Sequence, residues 1–237
     1  MFDFLNFNNP FVAGVYRVAN MIVLSLVWLL FCIPIFTIGA STTAMYYCMQ
    51  KVIRNDRDYV WSCFWDGFKK NFRQSTLIWL IFLAVGAVML TDLSIIQTLE
   101  DMEKLAGNMK IVFAVILVVM LIYAFWVFAC QARFENTLKA TMRNTAVMMV
   151  CHLPAVVMTA LIAAGFVLLI WLMPIIILIV PAVCVFFMSY FTERVFRSHM
   201  TEEEKRKEDE INMQWHNDYE DVPDGSGARV RRRRGRK

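Results

Sequence analysis

Three histidines, six cysteines and an isolated aspartate are the residues of this 237-residue chain best suited to ligating a metal, attacking an electrophile or carrying a proton. Their spacing gives them little to do. Neither HExxH nor CxxC occurs, so no metal centre and no cofactor is expected. Walker A, GxGxxG and GxSxG motifs are missing too, and Ser25, Ser75, Ser94 and Ser189 have no base at a useful spacing. An enzyme is therefore not expected. His152 precedes Leu153-Pro154 and reads as an interfacial hydrogen-bonding group, while His199 and His216 belong to a charged C-terminal segment. That leaves Asp92 as the candidate intramembrane polar site, a proton or cation ligand. Counted from Ser75 it lies roughly 25 Å along a helix, near one interface, where an acid costs far less than the ~3 kcal/mol of a central one.

A second constellation is aromatic. Trp61, Phe64, Trp65, Phe68 and Phe72 recur at three and four, which predicts a helix over 59–73 with one aromatic stripe, capped by Asp56 or Asp58. Asp66 precedes Lys70 by four, the favourable order for a helical ion pair. Lys69, Lys70 and Arg73 gather at its C-terminal end, where they suit the helix dipole and anionic lipid headgroups. Three roles fit the stripe: capping the ends of membrane spans, lying on the bilayer surface, or docking a partner. In the docking role, Arg133 and Glu135 on a facing loop would support the five aromatics.

The elements that carry these residues follow from charge. Between Arg17 and Lys51 lie 33 residues without a formal charge, between Arg73 and Asp92 lie 18, between Lys110 and Arg133 lie 22, and between Arg143 and Glu193 lie 49. The chain is 59% hydrophobic, where soluble domains hold roughly 45–50%. A span needs about 20 apolar helical residues, so the windows predict an all-α polytopic membrane protein with five spans: 19–38, 75–95, 111–132, 153–172 and 174–192. The 49-residue window divides at Pro174, which fits a first helical turn. A soluble enzyme, a disulfide scaffold and a disordered chain are excluded.

Positive charge orients the spans. Of the Lys and Arg residues, 21 fall on one side and only Arg17, Lys104 and Lys110 on the other. The positive-inside rule then puts the N-terminus outside and the C-terminus in the cytoplasm of a multi-pass cell-membrane protein. Cysteines in such spans and cytoplasmic loops are expected to be reduced. A second cytoplasmic helix is predicted over 41–54. Pro34 should kink span one and Pro181 span five, while Ala160, Ala164 and Gly165 give span four a small face for helix approach. Beyond Thr192, span five should continue as a solvated helix to about Trp215, broken by Asp224-Gly225-Ser226-Gly227. Residues 1–200 form the membrane domain, and 201–237 a charged, partly disordered tail. Its terminal Arg/Lys run should meet acidic lipid, and nucleic acid is not an expected partner.

The stretch Trp28-Leu-Leu-Phe-Cys-Ile-Pro34-Ile-Phe-Thr-Ile-Gly-Ala40, with Ser-Thr-Thr-Ala-Met-Tyr-Tyr47 after it, resembles the signature of the YesL-like bacterial membrane proteins, a family of unknown function numbered 624. Phe68-Lys69-Lys70-Asn71-Phe72-Arg73-Gln74-Ser75, Leu-Thr-Asp92-Leu and Ala132-Arg133-Phe134-Glu135-Asn136 resemble further family segments. The resemblance covers residues 1–200. It implies an association with carbohydrate ABC-type uptake, with permease or sensor-kinase subunits as partners, and supplies no catalytic residues. The expected function is a non-enzymatic accessory or regulatory membrane protein; the alternative is a small oligomeric transporter or channel.

Overall fold

A computed structural model describes residues 10–54, 59–98, 103–223 and 229–233. Eight helices follow one another: α1 (Pro10–Cys32), α2 (Ile38–Cys48), α3 (Val60–Thr98), α4 (Glu103–Arg133), α5 (Leu138–Cys151), α6 (Leu153–Leu172), α7 (Val180–His199) and α8 (Glu202–Asp218). A short ribbon follows them, with Tyr219–Pro223 paired antiparallel to Arg229–Arg233.

Proline sets the first break. The ring of Pro34 pushes Ile33 away from helical geometry, so α1 stops at Cys32 instead of bending and running on to residue 38. Carbonyls left open at that end find hydroxyls. Thr37 Oγ1 lies 2.6 Å from the carbonyl oxygens of both Phe31 and Pro34, and Ser41 Oγ donates to Phe31 O at 3.0 Å. Thr37 is buried, so its loss strands acceptors away from water. Thr37→Val should therefore cost about 1–3 kcal/mol in thermal unfolding in detergent. Thr37→Ser should cost little, and equal melting of the two variants would refute this capping role.

The helix expected over 41–54 at the cytoplasmic surface is instead the centre of the fold. Ala40, Ser41, Thr43, Ala44, Met45, Tyr46 and Cys48 are all buried in α2. Its polar composition misleads because the hydroxyls are satisfied internally: Thr42 donates to Ile38 O at 2.7 Å and Thr43 to Gly39 O at 2.9 Å. Across the interface, Thr43 Oγ1 meets Ser75 Oγ of α3 at 2.9 Å. A π-helical turn, Met49–Arg54, continues α2. The predicted caps Asp56 and Asp58 lie outside the described residues.

Helix α3 fuses two expected elements. The aromatic helix over 59–73 and the span over 75–95 form one rod of 39 residues, about 58 Å long, with no breaker between them. It pairs antiparallel with α4 through Ile78, Phe82, Ala124, Val127 and Phe128. Helix α5 occupies what the charge pattern left as a loop. Its buried edge is Thr141, Thr145 and Met148, a helical spacing written mostly in threonine.

Among the described residues, four helices are long and apolar enough to cross a membrane, over Gly14–Cys32, Val60–Asp92, Met109–Arg133 and Leu153–Leu172. Exposed Val119, Leu161, Val167, Leu168 and Trp171 on α4 and α6 give the molecule a surface suited to lipid. The expected fifth element differs. Residues Pro174–Leu178 form a 3₁₀ turn, and α7 starts only at Val180 and carries Glu193, Arg194 and Arg197. Pro181 sits in the first turn of α7, where a missing N–H costs nothing, so it starts that helix and does not kink it. Ser25 of α1 tends that start: its hydroxyl donates to Ile179 O and accepts from Ala182 N, both at 3.0 Å. In the small face of α6, Gly165 has open space beside it: a Cβ there would meet nothing within 4 Å.

Candidate functional site

Charged and hydroxyl side chains from four helices converge where α2 and α4 end. Tyr46, fully buried, places its hydroxyl 2.7 Å from Thr192 Oγ1 and donates to Glu193 Oε1 at 3.0 Å. The other oxygen of Glu193 faces Arg133 Nε at 3.3 Å, and the Arg133 Nη2 group bonds Glu208 of α8. Side-chain exposure is 17% for Arg133, 12% for Glu193 and 17% for Glu208, so the cluster is largely shielded from water. Burial pushes the Glu193 carboxyl above its ordinary value, and the Arg133 charge and the Tyr46 hydrogen bond pull it back. Four helices are thereby tied at one point.

That arrangement replaces the solvated continuation expected after Thr192. Helix α7 ends at His199, Met200 is extended, and α8 turns back towards the bundle. The reversal has a local cause in a capping box: Thr201 N donates to Glu204 Oε2 at 2.8 Å, and Glu204 N to Thr201 Oγ1 at 3.3 Å. Arg197 Nη2 donates to both carboxylate oxygens of Asp209, at 3.0 and 2.9 Å. The predicted break at 224–227 lies outside the described residues.

Burial divides the aromatic stripe of α3. Phe64 and Phe68 are core residues, 5.3 and 5.1 Å from the Phe31 ring, and Phe72 packs on Phe68. Trp61 and Trp65 remain exposed at 59% and 38%. Of the five, Trp61 and Trp65 are the exposed rings, Phe64 and Phe68 pack inside the bundle, and Phe72 is half-buried. Lys69 covers the Trp65 ring at 4.9 Å, and Arg73 is exposed. Lys70 pairs with Glu135 in the α4–α5 loop rather than with Asp66, and its hydrogen bond holds the Glu135 carboxyl below the ordinary value. Arg133 points away from that contact into the buried cluster. Asp92 is exposed near the far end of α3, well removed from both.

A second polar thread joins the same helices. Gln131 of α4 donates to Asn71 Oδ1 of α3 and accepts from Thr141 Oγ1 of α5, each at 3.3 Å. No described group of three His, Cys, Asp or Glu side chains is arranged to hold a metal.

Much of this framework is built by the first third of the chain: α1 from Met21, α2 and most of α3. Residues 21–93 match the family model described as "Protein of unknown function, DUF624". Over that stretch the chain is similar to DUF624 proteins. Within it lie Pro34, Thr37, Gly39, Thr43 and Tyr46, the residues that end α1, seat α2 and reach the charge cluster. The DUF624 match agrees with the resemblance to YesL-like proteins. No curated protein and no solved structure matches the chain.

Proposed function

We propose that this chain is an accessory or regulatory membrane component, without catalytic activity of its own, that serves carbohydrate ABC-type uptake from the cytoplasmic face. One observation supports a docking role, while the link to carbohydrate uptake is what the resemblance to YesL-like proteins implies. The N-terminal part of α3 anchors one edge in the core through Cys63, Phe64 and Phe68 and projects Trp61, Trp65, Asp66 and Lys69 from the basic end of the bundle. A rigid helix holding two large exposed indoles among charges is suited to docking a permease or sensor-kinase subunit. The proposed topology has the N-terminus outside and the C-terminus inside, with a broken fifth crossing. The 3₁₀ turn over 174–178 adds about 10 Å and residues 180–192 add about 20 Å, enough for a hydrocarbon core of about 30 Å.

Affinity purification in mild detergent should recover permease or sensor-kinase subunits with the native chain. Trp61→Ser with Trp65→Ser should lose them, about tenfold or more, while the variant still inserts and folds. Recovery of neither subunit class, together with unchanged sugar uptake in a deletion strain, would overturn the proposal.

A further inference from the structure

The π-helical turn Met49–Arg54 does more than extend α2: it carries Arg54 against α7. There Arg54, Phe186, Phe187, Tyr190 and Phe191 line a groove of about 340 Å³. Four of its five walls are aromatic, and two of them, Phe187 at 50% and Tyr190 at 63%, are exposed. Among the described residues, Arg54 Nη1 donates to the backbone oxygen of Ser189 at 3.1 Å. A guanidinium has five N–H donors in a planar fork, and a single carbonyl uses one of them. Aromatic rings supply no hydrogen-bond acceptor of comparable strength. Among the described residues, the groove thus offers an apolar lining and a cation that gives one of its donors to a carbonyl.

We infer that this groove binds a phosphate-bearing amphiphile, an anionic phospholipid whose headgroup phosphate meets Arg54 and whose apolar part lies against Phe186, Phe187 and Phe191. Three features converge on that occupant. The guanidinium fork matches phosphate oxygens, the lining matches hydrocarbon, and α7 follows directly on the lipid-exposed hairpin of α6 and the 3₁₀ turn. Tyr190, amphipathic and largely exposed, stands where an interface residue would stand beside a headgroup. The Arg54 charge also reaches Glu193 and helps to keep its carboxyl from rising further. A phosphate at Arg54 therefore adds negative charge close to the cluster that ties α2, α4, α7 and α8. The inference stands apart from the uptake proposal, since either can fail alone.

The test is native mass spectrometry of the full chain in non-ionic detergent with phosphatidylglycerol, with diacylglycerol as an amphiphile lacking phosphate, and with inorganic phosphate as competitor. Phosphatidylglycerol should remain bound, with diacylglycerol weaker by about tenfold, the size of one charge-assisted contact. Arg54→Gln should abolish that preference, and Arg54→Lys should keep part of it. Phe187→Glu leaves Arg54 in place and sets a carboxylate on an exposed wall, so it should also weaken phosphatidylglycerol by about tenfold if the groove is the site. Should Arg54→Gln not fold, Phe187→Glu decides the matter. Unchanged phosphatidylglycerol binding in Phe187→Glu or in a folded Arg54→Gln overturns the inference. Displacement of the lipid by millimolar phosphate also overturns it, in favour of a soluble phosphate ligand.

Discussion

Gly39→Ala should abolish the packing of α2 on α3 and lower the melting temperature in detergent by about 10 °C or more. A Cβ at position 39 would stand 2.6 Å from Trp79 Cβ, 2.7 Å from the Ser75 backbone oxygen and 3.0 Å from Phe128 Cζ. The first two atoms belong to the scaffold of α3 and cannot swing aside. Ordinary overpacking costs about 1–3 kcal/mol, and here the relief would require separating two helices along a buried seam. That seam also holds the Thr43–Ser75 hydrogen bond, and the Trp79 indole beside it donates to Ile35 O at 2.7 Å, so separation strands polar groups as well. The other glycines calibrate the effect. Gly67 meets only the Tyr47 side chain, at 2.8 Å, and that ring can turn. Gly86 has ordinary contact with Met120 at 3.6 Å, and Gly165 has none. Alanine should therefore damage position 39 most and position 67 less. At 86 and 165 it should be neutral or stabilising by up to about 1 kcal/mol through helix propensity. Equal melting temperatures for Gly39→Ala and Gly165→Ala would refute the close-approach argument.

The gradient among the glycines shows what a linear reading can and cannot see. Long charge-free windows reveal the apolar helices, because the absence of charge is visible residue by residue; α6 runs over Leu153–Leu172 as expected. The burial of α2 is not visible that way. Its Ser and Thr residues look solvated until their partners, Phe31 O, Ser75 Oγ and their own helix carbonyls, are known. Helix α5 hides for the same reason, since threonine carries its buried edge. Proline interrupts the helices here, but its position within the helix decides how. Pro34 does break the first helix, yet Pro181 proved to be a starter, because the preceding apolar residues coil into a 3₁₀ turn. The aromatic stripe was legible as a helix, but spacing alone could not divide Phe64 and Phe68 from Trp61 and Trp65. Phe31, thirty or more residues away in sequence, touches all four of these rings, yet only Phe64 and Phe68 are also enclosed by the rest of the core. The charge cluster was half legible. Arg133 stands out in the sequence, but Glu193 opens what reads as a solvated helix, and nothing local announces that Thr201 and Glu204 fold the next helix back.

That cluster carries the second large effect. Arg133→Met should cost about 3–5 kcal/mol and lower the melting temperature by about 10 °C, the loss expected when one member of a buried ion pair is removed. Methionine keeps much of the volume, so packing changes little, while Glu193 and Glu208 lose the cation that both face. Two readouts separate this from general damage. Adding Glu193→Gln and Glu208→Gln to Arg133→Met removes the uncompensated charges and should restore a large share of the loss. The second readout is pH. Burial already holds the Glu193 carboxyl above its ordinary value of 4.5, and without Arg133 it rises further. A carboxyl whose folded pKa lies above its unfolded one binds its proton more tightly in the folded state. Stability therefore falls as pH rises from the unfolded value through the folded one, and returns on acidification. Arg133→Met should accordingly melt higher at mildly acidic pH than at pH 8, with a steeper slope than the native chain. Its Glu193→Gln derivative should lose most of that extra slope. A single variant as stable as the native chain, or one whose deficit ignores both pH and the added glutamines, would reduce the cluster to a surface contact. The expected outcome makes it the clasp through which α8, and any partner that grips α8, reaches the buried α2 helix.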